Sequence, residues 1–257
     1  MATSKQDPFY SAKSRLARAE IHISNLETEI WNFRSNHPPD LIRELDPGGF
    51  TQTHKFKFPK PLPESCTHLS IEALEAIRSA LDQIGYAAAV VSGNTRLKRT
   101  QFPISDSAAE LNNLIDGRGV CRDIPEPIIA LFRRFKPYRG GNDILWTLNK
   151  LRNSNHTHLV PVAMIGASVL IQHKPGSAEL IALNPLFDGA KNEIAYARGP
   201  TDGHFEYGIH PSFQIGFHDT AITGRKHAVT ILTGALGEVQ QVLDQTELAC
   251  CRLGFIE

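Results

Sequence analysis

The stretch Asp46-Pro47-Gly48-Gly49-Phe50-Thr51-Gln52-Thr53-His54-Lys55-Phe56-Lys57-Phe58 decides the fold class. Pro47 and the glycine pair mark a turn. The residues after it alternate polar and apolar with the period of two that a half-buried strand requires. Together with the residues from Leu41, the segment predicts a β-hairpin over about 41–58. Sequence of a different period flanks it on both sides. Upstream, Leu16, Ile23, Leu26, Ile30 and Phe33 are spaced 7, 3, 4 and 3, a helical stripe. Pro8 stands near its start and Pro38-Pro39 forbids continuation, so a helix is predicted from about 9 to 36. Downstream, Pro59, Pro61 and Pro63 stiffen the connection. Leu74, Ile77, Leu81, Ile84, Ala88 and Val91 then predict a second helix over about 70–91, capped by Ser70 and ended by Gly93-Asn94. The heptad spacing of both stripes predicts antiparallel packing, as in a bundle.

Further along, a short helix is predicted after Ser105, another opened by Pro125 and Pro127, and a third over about 143–157 behind Gly140-Gly141-Asn142-Asp143. After Pro161 the texture turns to strands. Met164 to Gln172 and Ala178 to Leu183 read as a hairpin joined by Lys174-Pro175-Gly176-Ser177, followed by short strands over 193–198, 204–209, 213–217 and 227–232. Val239, Val242, Leu243 and Leu248 predict a closing helix. Helices first and strands later indicate an α+β fold: a helical bundle with an inserted β-hairpin, and a C-terminal antiparallel sheet closed by a terminal helix. The expected division is a helical region over 1–160 and a strand-rich region plus terminal helix over 161–257, packed as one unit.

The bulk properties narrow the function classes. Apolar residues make up 41% and charged residues 21% of the 257, enough for a substantial core without staples. Lys and Arg number 27, as do Asp and Glu, so no basic excess advertises a broad grip on nucleic acid or on an anionic membrane. Cys66, Cys121, Cys250 and Cys251 form no CxxC pair and read as reduced thiols rather than as a zinc site. The stretch MATSKQDPFYSAKSRLARAE has no apolar segment of a secretory signal, and the longest apolar runs are too short to span a bilayer. A cytoplasmic location without membrane attachment is the expectation.

Chemistry concentrates in Leu148-Asn149-Lys150-Leu151-Arg152-Asn153-Ser154-Asn155-His156-Thr157-His158. On a helix, Leu148, Leu151 and Asn155 share a stripe, Arg152 and His158 flank it, and His156 lies near Arg152. The apolar face therefore turns polar in its last turn. An arginine stabilises charge developing on a phosphate, and a histidine beside it moves protons near neutral pH. That pair suits metal-free RNA cleavage, with the 2′-hydroxyl as internal nucleophile and Asn153 or Asn155 orienting the histidine or holding a phosphate oxygen. The plain alternative is a fraying helix end, where Asn, His and Thr are common and a cation is favourable.

Arg152-Asn153-x4-His158 resembles the Arg-x4–6-His motif of HEPN proteins (higher eukaryotes and prokaryotes nucleotide-binding), and the helix order of the first 160 residues is similar. The resemblance implies a homodimer whose two motifs meet at the interface. It also implies a metal-independent ribonuclease, or a nucleotide- or RNA-binding relative, of the kind found in toxin, defence and RNA-processing systems. Carried over, Arg152 binds and polarises the phosphate, His158 acts as acid and base, and Asn153 supports them, with no cofactor. The segments Arg78-Ser79-Ala80-Leu81-Asp82, Thr100-Gln101-Phe102-Pro103-Ile104 and Pro137-Tyr138-Arg139-Gly140-Gly141 also resemble a family of uncharacterised bacterial proteins. There the motif segment reads Asn, two residues, Lys-His-Arg, so Thr157 stands at the usual histidine position.

Two readings of other classes compete. One is a non-catalytic HEPN-like scaffold or dimerisation protein, and the neutral charge favours it. The other is a metal-binding protein using His156 with His158, or His204, His210, His218 and His227; residues 159–170 contain no acidic residue to complete the first set. Arg78 and Asp82, at i and i+4, are either a surface ion pair or a clamp on the Asn153–His158 segment.

Overall fold

A computed structural model describes residues 7–95, 97–116, 119–157 and 159–256, with the side chains of His156, Thr157 and Thr220 outside that description. The chain is α+β. In order it runs α1 (Tyr10–Asn36), β1 (Asp40–Leu45), β2 (Thr51–Lys57), α2 (Glu64–Val91), α3 (Ala108–Asp116), α4 (Glu126–Arg134), α5 (Asp143–Thr157), β3 (Val162–His173), β4 (Ile181–Ala182), β5 (Phe187–Asp188), β6 (Glu193–Pro200), β7 (Tyr207–Phe217), α6 (Thr220–Thr223) and α7 (Ala228–Arg252). It divides into two compact units. One takes the chain up to Leu26, His68–Val160 and the chain from Val229; the other takes Glu27–Thr67 and Pro161–Ala228.

In the first unit the predicted stripes are buried. On α1, Leu16, Ile23 and Leu26 are buried, and Phe9, Ala12 and Ala19 extend the same 3-and-4 spacing. On α2, Leu74, Ile77, Leu81, Ile84 and Ala88 are at most 1% exposed. The two helices run antiparallel: Ser11 donates to Gln83 at 2.7 Å and His22 meets Glu72 at 3.1 Å, so eleven steps forward on one helix are eleven steps back on the other. Such a register keeps both stripes facing inward over successive turns. Helix α2 begins at Glu64 rather than near 70, because Pro63 supplies the break that starts it (Cys66 N–H donates to the Pro63 carbonyl at 3.1 Å). Ser70 is therefore no cap; it is fully buried within the helix.

The terminal helix is longer than predicted. Ala228, Leu232, Ala235, Val239 and Val242 are all buried at spacings of 4, 3, 4 and 3, so 228–232 opens α7 and is not a strand.

The second unit holds the strands. The hairpin forms as predicted, β1 against β2 with Leu45 opposite Gln52, and Asp46 accepts from both Thr51 and Thr53, the latter at 3.0 Å. Strand β2 then pairs antiparallel with β6, which also carries β4 and β5, so the hairpin is part of one sheet with residues from beyond 180. The alternation read in the sequence divides β2 into two faces. His54 and Phe56, with Phe58 beyond the strand end, join Phe33, Tyr196, Phe205 and Phe213 in an aromatic core. Lys55 and Lys57 instead share Glu193, at 3.2 and 2.8 Å.

Strand β3 does not ladder with 178–183, whose Ile181–Ala182 pair with β6 instead; it meets the segment after the turn only at a single bridge, Gly166 to Leu186. The turn exists, with Ser177 N–H donating to the Lys174 carbonyl at 3.1 Å, but β3 pairs antiparallel with β7 along almost its whole length, from Val162–Phe217 to His173–Tyr207. A long ladder outweighs a local turn preference. Residues 207–209 and 213–217 accordingly belong to a single strand through Pro211, while 204–206 precede it; β7 ladders only with β3 among the described strands, so its other edge tolerates the proline.

Candidate functional site

Helix α5 carries the motif, and contacts from α2, from α7 and from Asp106 hold it. Its N-cap is Asn142, whose Oδ1 accepts from Leu145 N–H at 3.1 Å and whose amide donates to Glu238 at 2.7 Å. Gly140 sits at φ +81°, a conformation that favours glycine, and its N–H donates to Asp143 at 2.7 Å. Leu145, Leu148 and Leu151 point inward at no more than 1% exposure. On the outer side, Trp146 Nε1 and Lys150 Nζ both donate to Asp106 at 2.8 Å, and Arg139 lies over the Trp146 ring at 5.3 Å. The Lys150 and Trp146 hydrogen bonds hold the Asp106 carboxyl below its ordinary range.

The three segments that carry the bacterial-family resemblance converge here. Arg78, with a side chain only 9% exposed, donates to Asp82 at 2.5 Å, to Asn149 of α5 at 3.3 Å and to the Phe102 carbonyl at 3.4 Å. Asp82 in turn accepts from Phe102 N–H at 3.0 Å. Ser105 N–H donates to the Pro137 carbonyl at 3.1 Å, and Ser105 forms a parallel bridge with Tyr138. The pair Arg78–Asp82 is thus a buried clamp that ties α2 to the Phe102 segment and to α5, through Asn149 rather than through the motif's last turn.

Arg152 is about one-third exposed, and its Nε lies 3.5 Å from Glu75 Oε2 of α2. One of its terminal nitrogens donates to the exposed Asn153 at 3.5 Å. Asn155 is half-buried and accepts from Val160 N–H at 3.0 Å, closing the helix end. His158 and the side chain of His156 lie outside the described residues, so Arg152, Asn153 and Asn155 are the motif side chains that the structure places.

Glu75 also lines a cleft of about 360 Å³ that the sequence reading missed. Helix α1 contributes Arg15, Arg18 and His22, and α2 contributes Glu72, Glu75 and Ser79. Both sets stand at i, i+3 and i+7, next to the apolar stripes, and that mirrored spacing is the signal that could have revealed them. His22 accepts at Nε2 from Arg18 Nε at 3.3 Å, while its Nδ1 lies 3.1 Å from Glu72 in a geometry that forms no hydrogen bond. The cleft and the motif helix therefore share Glu75, which lies 3.5 Å from Arg152 Nε and lines the same cleft as two arginines and an imidazole.

Among the described residues no group of three or more His, Cys, Asp and Glu side chains could hold a metal ion, and no helix is long and apolar enough to cross a membrane. The four cysteines form no disulfide, and Cys66, Cys121 and Cys250 are buried. Burial pushes the Cys66 thiol up to about 12 and the Cys250 thiol to about 11, which leaves neither as a nucleophile at neutral pH. No family model matches the chain, and neither a curated protein nor a solved structure matches it.

Proposed function

We propose that the chain is a HEPN-like protein that binds RNA or nucleotide phosphates at Arg152 and cleaves RNA without a metal. The observation that supports this reading is the position of Arg152, partly exposed and 3.5 Å from Glu75, a residue that lines a cleft with Arg15, Arg18 and His22. A guanidinium on a surface carboxylate is not locked there, because such a pair is worth less than about 1 kcal/mol and a phosphate competes for it. In the proposed reaction the 2′-hydroxyl attacks the adjacent phosphorus, the bond to the 5′-oxygen breaks, and a 2′,3′-cyclic phosphate and a free 5′-hydroxyl result. Arg152 stabilises the charge on the non-bridging oxygens, while His158 accepts the 2′ proton and a water molecule protonates the 5′-oxygen as it leaves. Asn153, beside Arg152, supports the phosphate contact. A homodimer bringing two motifs together, and a role in defence or toxin–antitoxin systems, belong to the same proposal.

The test is cleavage of single-stranded RNA in EDTA by the wild type, Arg152→Ala and His158→Ala. Metal-independent cleavage that either substitution reduces by about 100-fold or more supports the enzyme, given what one acid–base or charge-stabilising group contributes. A folded, dimeric wild type that binds RNA and leaves it intact rejects the catalytic part.

A second reading is supported by the same contact. Arg152 already has a carboxylate partner in its own chain, as a non-catalytic scaffold would have. On that reading Arg152→Ala loosens the α2–α5 contact and leaves RNA affinity unchanged.

A further inference from the structure

The second unit carries a cleft of about 410 Å³ that no part of the Arg152 reading uses. Its volume falls within the range of small-molecule sites. The apolar wall is aromatic: Phe33, Phe58 and Phe213, each at most 7% exposed. Phe58 and Phe213 meet edge to face at 5.1 Å, a rigid arrangement that fixes the wall. Three prolines add further flat apolar surface. At the rim stands Trp31, 66% exposed, an indole that packing alone does not account for.

The polar lining is all of one kind. Arg34, one turn beyond Trp31 on α1, reaches the cleft, and no described carboxylate pairs with it. His37 stacks on Phe33 with ring centres 5.4 Å apart, and its Nδ1 is buried without a protein hydrogen-bond partner among the described residues. Ser35 adds a hydroxyl, and among the described residues no Asp or Glu lines the cleft. Aromatic surface, a guanidinium and an imidazole ring, with no carboxylate among the described lining residues, form a site for a planar ring with an attached anion.

We infer that this cleft binds a nucleobase with its phosphate, the base stacked between Trp31 and the aromatic wall and the phosphate on Arg34. Base stacking on aromatic side chains with a cation alongside is how unpaired nucleotides are held without regard to sequence. The inference rests on residues of the second unit alone and does not require Arg152 to act on RNA. The same chemistry has two sources, a free mononucleotide or an unpaired nucleotide of single-stranded RNA.

The experiment uses the full chain with Trp146→Phe, which leaves Trp31 as the single remaining tryptophan of the two. Its fluorescence is followed on adding AMP, GMP, CMP and UMP, a tetranucleotide, and ribose 5-phosphate. Saturable quenching by mononucleotides is expected, with no effect of ribose 5-phosphate, because the ring supplies the stacking. Arg34→Ala, at an exposed position, is expected to weaken mononucleotide binding about tenfold, the loss of one charge-assisted contact. A tetranucleotide bound more than about tenfold tighter than any mononucleotide identifies RNA as the source, and equal affinity identifies the free nucleotide. The inference is overturned if neither ligand quenches at millimolar concentration, if ribose 5-phosphate quenches equally, or if Arg34→Ala, folded by circular dichroism, binds as the parent does.

Discussion

Replacing Asp82 by alanine isolates the clamp that positions α5. The side chain is about one-third exposed, yet both its partners are more deeply placed: the Arg78 guanidinium, 9% exposed, at 2.5 Å and the Phe102 N–H at 3.0 Å. Removing the carboxylate leaves a buried guanidinium with only Asn149 and the Phe102 carbonyl, at 3.3 and 3.4 Å, and strips Phe102 N–H of its acceptor. Breaking a fully buried pair costs roughly 3–5 kcal/mol, and exposure of Asp82 to water brings that term down to about 2. The lost Phe102 hydrogen bond adds about 1 kcal/mol, for a total near 3. Urea denaturation at constant slope reads this directly as a lower midpoint. The double substitution Arg78→Met with Asp82→Ala removes the stranded charge, so it is expected to cost less than the sum of the single changes by about 1.5 kcal/mol. A loss below about 0.5 kcal/mol for Asp82→Ala, or strict additivity in the double variant, would refute the claim that this pair is a buried clamp rather than a surface ion pair.

Three further outcomes follow from the same structure. His54 is fully buried, donates to or accepts from Tyr207 at 2.6 Å, and is held below its ordinary range by burial and then by Arg43, so folding favours its neutral form. Stability is therefore constant above the unfolded value near 6.5 and falls as pH drops below it, by at most about 1.4 kcal/mol per pH unit for one proton; thermal melts at pH 7.5 and 5.5 check this, and His54→Phe should flatten that interval. A Cβ at Gly85 would stand 2.3 Å from the Thr100 carbonyl oxygen and 2.9 Å from Ile124, so Gly85→Ala should destabilise by roughly 2 kcal/mol or more despite its better helix propensity; a stabilised variant in urea denaturation would contradict this. In native protein one thiol, the exposed Cys251, should react with Ellman's reagent within minutes, while Cys66, Cys121 and Cys250 react only after denaturation, as a timed thiol count would show.

The elements legible from sequence were those whose period and punctuation agree. The stripes of α1 and α2, the turn at Asp46–Gly49, and α5 behind its Asn142 cap each combine apolar spacing with a clear stop or start. Strand pairing was not legible in the same way. The 174–177 turn invited a hairpin, but which strand β3 meets is decided by a partner more than thirty residues away, which no local signal reports. The Arg78–Asp82 pair shows the limit for sites: i, i+4 spacing is the same for a surface pair and for a buried clamp, and only burial separates them. Arg15, Arg18 and His22 were overlooked because each alone is an ordinary solvent-facing residue of a charged helix. Their meaning comes from Glu72 and Glu75 on the antiparallel neighbour.

The most direct test of the phosphate-binding claim is the affinity of a short single-stranded RNA for the wild type, Arg152→Ala and Glu75→Gln, measured by fluorescence anisotropy over a range of KCl. Glu75→Gln removes the competing carboxylate and keeps Arg152, so the account predicts tighter binding. Arg152→Ala should weaken binding and reduce the slope of log affinity against log salt by about 0.7, the loss of one phosphate contact to a single strand. Equal affinities and equal slopes in all three proteins would contradict it, and would leave Arg152 as a structural partner of Glu75.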